Sequence, residues 1–107
     1  MKLNPRDPFR WHYHGYLSRA FLSIGEVTKA LEWADEAVKL RPDQAETHFR
    51  RALCLAHSGN VDEARSEIEK CKRLEPDFVD KKRSWRPYPD DARNQHLLSP
   101  LLAADLL

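Results

Sequence analysis

Glycine, cysteine and methionine are scarce in this chain, at three, two and one residues in 107. The glycines stand far apart at 15, 25 and 59, so no glycine-rich phosphate loop can form, and H-E-x-x-H, C-x-x-C and G-x-S-x-G are all missing. Two cysteines, Cys54 and Cys71, are too few for a disulfide framework. Both fall inside helical patterns, where a small apolar side chain packs, and read as buried thiols of a reducing cytoplasm. No apolar run approaches the ~20 residues needed to cross a bilayer, and Met1-Lys2-Leu3-Asn4-Pro5 lacks the apolar segment of a secretory signal. Charge of one sign is lacking too. Lys and Arg total 18 against 17 for Asp and Glu, a net +1 that offers no broad field to nucleic acid or an acidic membrane. The expectation is one small cytoplasmic domain with no nucleic-acid or membrane partner.

What the chain does have is a repeat. Residues 10–43 laid over residues 44–77 match at His14/His48, Gly25/Gly59, Val27/Val61, Ala30/Ala64, Leu40/Leu74, Pro42/Pro76 and Asp43/Asp77, all at an interval of 34. Small residues, turn residues and helix stops coincide, and these carry backbone information. From Pro8 to Ile24 the apolar residues Trp11, Leu17, Ala20, Phe21 and Ile24 recur at helical spacing. Gly25 ends that helix, Val27 to Leu40 forms a second apolar stripe, and Pro42 stops it. The second unit repeats the scheme with Phe49, Ala52, Leu53 and Leu55 before Gly59, then Val61, Ala64, Ile68, Cys71 and Leu74 before Pro76. Asp43 and Asp77 are placed to cap the helices that follow. Each unit is an αα-hairpin about 20 Å long, which cannot bury its apolar stripe without a neighbour.

Helix pairs returning every 34 residues resemble the tetratricopeptide repeat. His14, Leu17, Ser18 and Phe21 hold its first-helix places in the first unit, and Ala30, Ala34 and Pro42 those of the second helix. The second unit supplies His48, Arg51, Ala52 and Leu55, then Ala64, Ile68 and Pro76. Ser18, Ala52, Ala30 and Ala64 keep the side chain small where helices nearly touch. Histidine twice replaces the family's first-helix aromatic, and Arg51 replaces a buried leucine. Arg51 is expected at the rim, with its stem packed and its guanidinium in water. Leu3-Asn4-Pro5 is similar to the Leu-x-Pro endings at 40–42 and 74–76, as if a repeat preceded it. "HFRRALCLAHSGNVDEA" and "WRPYPD" are similar to C-terminal tetratricopeptide regions of bacterial nucleotide cyclases and related regulators.

The resemblance implies an all-α, solenoid-like fragment, with the tail of a preceding repeat at 1–7 and repeats at 8–42 and 43–76; beyond these the residues themselves suggest a capping helix at 77–84, a Pro-rich linker at 85–89 and an apolar helix at 90–107. Phe78 and Val79 are expected over the second repeat, with Lys81, Lys82 and Arg83 in water. Asp90 and Asp91 suit a helix start, and Ala92, Leu97, Leu98, Leu101 and Leu102 supply an apolar face, with a kink or restart at Pro100. So many terminal leucines call for burial in the chain's own groove or in that of a second copy.

No catalytic, metal or cofactor constellation emerges. His12 and His14 point to different helix faces, His57 reads as a solvated helix-end histidine, and the acidic runs Glu32, Asp35, Glu36 and Glu63, Glu67, Glu69 read as solvated surfaces. A binding module remains. In the family the first helices line a concave groove, which here implies His12, Gly15, Arg19, Leu22 and Ser23 from one repeat and Glu46, Phe49, Leu53, Ala56 and His57 from the other. Leu22, Phe49 and Leu53 would be apolar anchors, and Arg19 a cationic fork. Gly15, Phe49 and Leu53 interrupt the Lys/Arg/Asn cluster with which relatives grip chaperone tails, so an apolar peptide or helix fits better. Two functions follow: a protein-interaction module within a larger bacterial signalling or regulatory protein, or a self-association domain whose groove holds the C-terminal helix of the same or a neighbouring molecule.

Overall fold

A computed structural model of the chain describes residues 10–107, and Leu3-Asn4-Pro5 and Pro8 lie outside them. Four helices carry the two repeats: α1 (Arg10–Ser23), α2 (Val27–Leu40), α3 (Ala45–His57) and α4 (Val61–Leu74). A short α5 (Phe78–Lys82) and a longer α6 (Asp91–Ala103) follow. Helix α1 packs on α2 and α3 on α4, the two hairpins meet along α2 and α3, and α6 lies against α3 and α1.

The interval of 34 is a backbone interval. Gly25 and Gly59 hold φ of 83° and 87°, a left-handed conformation that costs glycine nothing. Each closes its helix in the same way. Gly25 N–H donates to Leu22 O at 3.1 Å and Glu26 N–H to Phe21 O at 2.9 Å; Gly59 N–H donates to Ala56 O at 3.1 Å and Asn60 N–H to Leu55 O at 2.9 Å. Asp43 does not cap α3. The fork of Arg41 holds its carboxylate through two 3.0 Å bonds, leaving Gln44 at the cap position. Asp77 likewise makes no capping bond and pairs with Lys81 at 3.3 Å.

Ala30, Ala34 and Ala37 from α2, Ala52 from α3, and Ala64 from α4 are fully buried, so the helices approach closely where the sequence is small. Positions 14 and 33, and their equivalents 48 and 67, meet in both hairpins with different chemistry. The rings of His14 and Trp33 meet at a tilt of 59° with centres 5.1 Å apart, whereas His48 Nδ1 meets the Glu67 carboxylate at 2.6 Å. The other His48 nitrogen faces Pro42 O at 2.7 Å, so the ring bridges the Glu67 carboxylate and the turn between the hairpins.

Glu67, expected on a solvated surface, is 2% exposed. It also accepts from Arg51 Nη1 at 3.1 Å and Lys70 Nζ at 3.0 Å. Burial pushes its carboxyl up, but the bonds from His48 and Lys70 outweigh this and hold it below the usual range. Arg51 is not an open rim residue either, because its Nε donates to Asp35 at 2.7 Å and ties α3 to α2. Three carboxylates answer the leucine-to-arginine change, Glu63 at 3.5 Å being the third.

Helix α1 departs most from the periodic reading. Its buried residues are Trp11, His14, Gly15, Ser18 and Leu22, while Ala20 and Ile24 face outward and Leu17 is half-buried. At the other end, α6 begins on Asp90, whose Oδ1 accepts from Ala92 N–H at 2.9 Å, and runs through Pro100 without a break. Leu97, Leu98 and Leu101 are buried, while Ala92 and Leu102 are exposed.

Candidate functional site

Helices α1 and α3 present their groove-side residues to the C-terminal third of the chain, which already covers much of that side. Leu22, Phe49 and Leu53, the expected apolar anchors, are 1%, 0% and 1% exposed. The rings of Phe78 and Trp85 both meet Phe49 edge-on at 5.7 Å, and the buried leucines of α6 join the same cluster. His57 is half-buried, its Nε2–H donating to Leu97 O at 2.9 Å and its ring 5.1 Å from that of His96. Burial chiefly, and His96 secondarily, lower its pKa against the opposing Leu97 bond. The leucine-rich helix is therefore seated against α3 and α1, over residues expected to line a groove. Asn94, which sequence reasoning passed over, fixes the approach by donating to Tyr88 O at 2.8 Å and accepting from Tyr88 N–H at 3.0 Å.

A cleft of about 200 Å³ opens between α1 and α3, lined mainly by Trp11, His12, Gly15, Tyr16, Glu46 and Arg50. His12 is exposed and Glu46 half-buried; Arg19, also half-buried, lies beside this cleft with its guanidinium 5.3 Å from the centre of the Tyr16 ring. Ser23 is exposed and Ala56 buried. Arg50 was missed because the family register passes over it, yet its spacing from Glu46 is that of an i,i+4 helix pair. The pair forms at 2.8 Å.

The chemistry concentrates on Arg50. Its guanidinium lies 4.7 Å from the centre of the Trp85 ring and its Nη2 serves Glu46, but Nε and Nη1 are buried with no hydrogen-bond partner among the described residues. Trp11 Nε1–H is buried and unpaired in the same sense. Lys82, expected in water, is half-buried; it shares Glu46 at 3.0 Å and lies 4.3 Å from the Trp85 ring centre. Burial lowers the pKa of both Arg50 and Lys82, with Glu46 opposing. Glu46 thus pairs with two cations, Arg50 and Lys82, and Arg19 is near enough to add its charge against both.

Among the described residues, no three His, Cys, Asp or Glu side chains gather to hold a metal, and no helix is long and apolar enough to cross a membrane. Burial pushes the Cys54 and Cys71 thiols up to about 11 and about 12, so neither is poised as a nucleophile. Two family models described as tetratricopeptide repeat match the chain, one over residues 45–78 and one over residues 3–45. No curated protein and no solved structure matches it.

Proposed function

From the premise that the chain belongs to the tetratricopeptide-repeat family, a non-catalytic family of protein-interaction modules, we propose that it binds an extended segment of a partner protein at the uncovered end of its concave groove. His12, Arg19 and Glu46 flank the segment, Tyr16 supplies an aromatic wall, and Arg50 supplies positive charge. Leu22, Phe49, Leu53 and His57 support the site from beneath by holding the C-terminal third in place. The observation that carries this reading is the excess of cations at the cleft, where Arg50 and Lys82 share the one carboxylate of Glu46 and Arg19 lies close to both, which favours a segment bearing a carboxylate. Such a module serves a larger protein or assembly, in keeping with the resemblance to bacterial regulators.

Calorimetric titration of the whole chain with a synthetic leucine–glutamate peptide, and with its leucine–glutamine counterpart, tests the proposal. The glutamate peptide is expected to bind, and Arg50→Gln to weaken it roughly tenfold, as loss of one charge-assisted bond implies. Equal binding of the two peptides, or binding indifferent to Arg50→Gln, would refute it.

A second reading rests on the seating of α6. With Leu97, Leu98 and Leu101 buried and His57 bonded to Leu97 O, the C-terminal helix is a built-in occupant of the groove and the domain a self-capped structural unit. A chain truncated before Trp85 that stays folded and binds apolar helices more tightly would favour a displaceable occupant. One that unfolds would favour a permanent cap.

A further inference from the structure

The seat of α6 on α3 combines a run of leucines with a pair of histidines. Leu97, Leu98 and Leu101 are 3% exposed or less, and beside them His57, the last residue of α3, donates from Nε2 to Leu97 O at 2.9 Å. The ring of His96, on α6, stands edge-on to that of His57 with centres 5.1 Å apart. His96 is exposed and His57 half-buried. Whereas His48 meets the carboxylate of Glu67, neither of these two rings has a carboxylate partner among the described residues. The nearby charges do not supply one. On α6, Arg93 shares a small cleft with His96 and Leu97, to which α1 contributes the uncharged Ser23, while Asp91 lines a different cleft with Arg86. Arg19 of α1 lies at the Tyr16 and Tyr88 rings. In the first turn of α4, Asp62 is turned to Arg65 at 3.3 Å and Glu63 to Arg51 at 3.5 Å.

We propose that His57 and His96 form a pH-operated latch on α6: neutral, they let the helix seat against α3, and charged together they repel across the seam and release it. Histidine is the side chain that changes charge in the physiological range, and two imidazolium ions at this separation in half-buried surroundings oppose each other strongly. The direction follows from the seated state. Burial first, and His96 second, hold the pKa of His57 below its ordinary value of 6.5, against the bond to Leu97 O. Released from α6, the ring returns toward that value, so the released form binds more protons and gains as pH falls through it. The opening is local. Residues 86–89 hold no helix, so α6 can leave as one piece while α1 to α4 keep their hairpins. Its departure brings Leu97, Leu98 and Leu101 into water and bares the side of α3 that they cover. The latch acts at the seat of α6 and is independent of any segment bound beside Arg50.

Hydrogen exchange of the full chain, read by mass spectrometry at about pH 7.5 and about pH 5.5 and corrected for the intrinsic exchange rate, tests this. Protection of α6 is expected to fall on the order of tenfold at the lower pH, and that of α2 to fall less. His96→Gln alters an exposed side chain and keeps the fold, and it should remove most of the fall in α6 while leaving α2 as before. His57→Gln should remove it too. Protection of α6 that is the same at both pH values would overturn the proposal. A fall that only parallels that of α2 would overturn it as well, because pH would then act on the whole fold, and so would a fall in α6 that persists in His96→Gln.

Discussion

Replacing Phe49 with alanine separates two roles that the sequence left together. As an exposed anchor its loss would weaken a ligand and leave stability within about 0.5 kcal/mol. In the structure the ring is fully buried, edge-on to both Phe78 and Trp85, with Lys82 Nζ 5.4 Å from its centre. Withdrawing it forfeits about 1.5–3 kcal/mol of transfer free energy, and the unfilled space raises the total to about 3–5 kcal/mol. Against a total stability of ~5–15 kcal/mol, that is a large share. In thermal unfolding followed by circular dichroism, Phe49→Ala should lower Tm by at least about 12 °C, at ~4 °C or more per kcal/mol for a domain of this size. Phe49→Leu, which keeps most of the volume, should cost about 1.5 kcal/mol or less. A double-mutant cycle with Trp85→Ala should show coupling, since the two rings touch. A Tm drop under about 4 °C for Phe49→Ala would refute the reasoning and return Phe49 to the surface of an open groove.

Burial lowers the pKa of His57 and of His14, so the unfolded chain binds more protons than the folded one just below the ordinary imidazole value of 6.5. Stability should therefore fall as pH drops through that value toward 5, and His57→Gln should flatten part of the slope in Tm against pH; a slope unaffected by His57→Gln would disprove the assignment. Asp105 ends α6 with φ of 60°, and its backbone N–H bonds to Leu102 O at 3.0 Å in a turn that favours glycine. Asp105→Gly should raise stability by about 0.5–1 kcal/mol in denaturant titration, and a loss would show that the carboxylate has a partner worth more than the strain. Cys54 and Cys71, buried with raised pKa, should resist an alkylating reagent at pH 8 in the folded chain and react on unfolding; rapid alkylation of the native protein would contradict their burial.

Backbone punctuation made the two hairpins legible in the sequence. Glycines at 25 and 59 need a left-handed turn wherever they stand, prolines at 42 and 76 cannot carry a helix forward, and the alanines between them admit a close neighbour. These constraints are local, so an interval of 34 was enough to place four helices. The groove was legible only as a register. Which of its members would be floor, wall or core depended on where α6 came to rest, and a run of leucines states a need for burial without stating a place.

Tertiary structure made the remaining decisions, each by bringing together groups distant in the chain. Arg51 looked misplaced until Asp35, Glu63 and Glu67 converged on it, and Glu67 looked solvated until His48, Arg51 and Lys70 enclosed it. Leu17 and Ala20 had the spacing of a core stripe, but a helix with two apolar sides does not say which side faces its own hairpin. Periodicity counts apolar residues around an axis, whereas burial is settled by the surface that arrives against them. The sequence by itself determined the repeat and its helices. Contact across the chain alone decided that α6 would lie against α3 and α1, and that two N–H groups of Arg50 would be buried without a partner among the described residues.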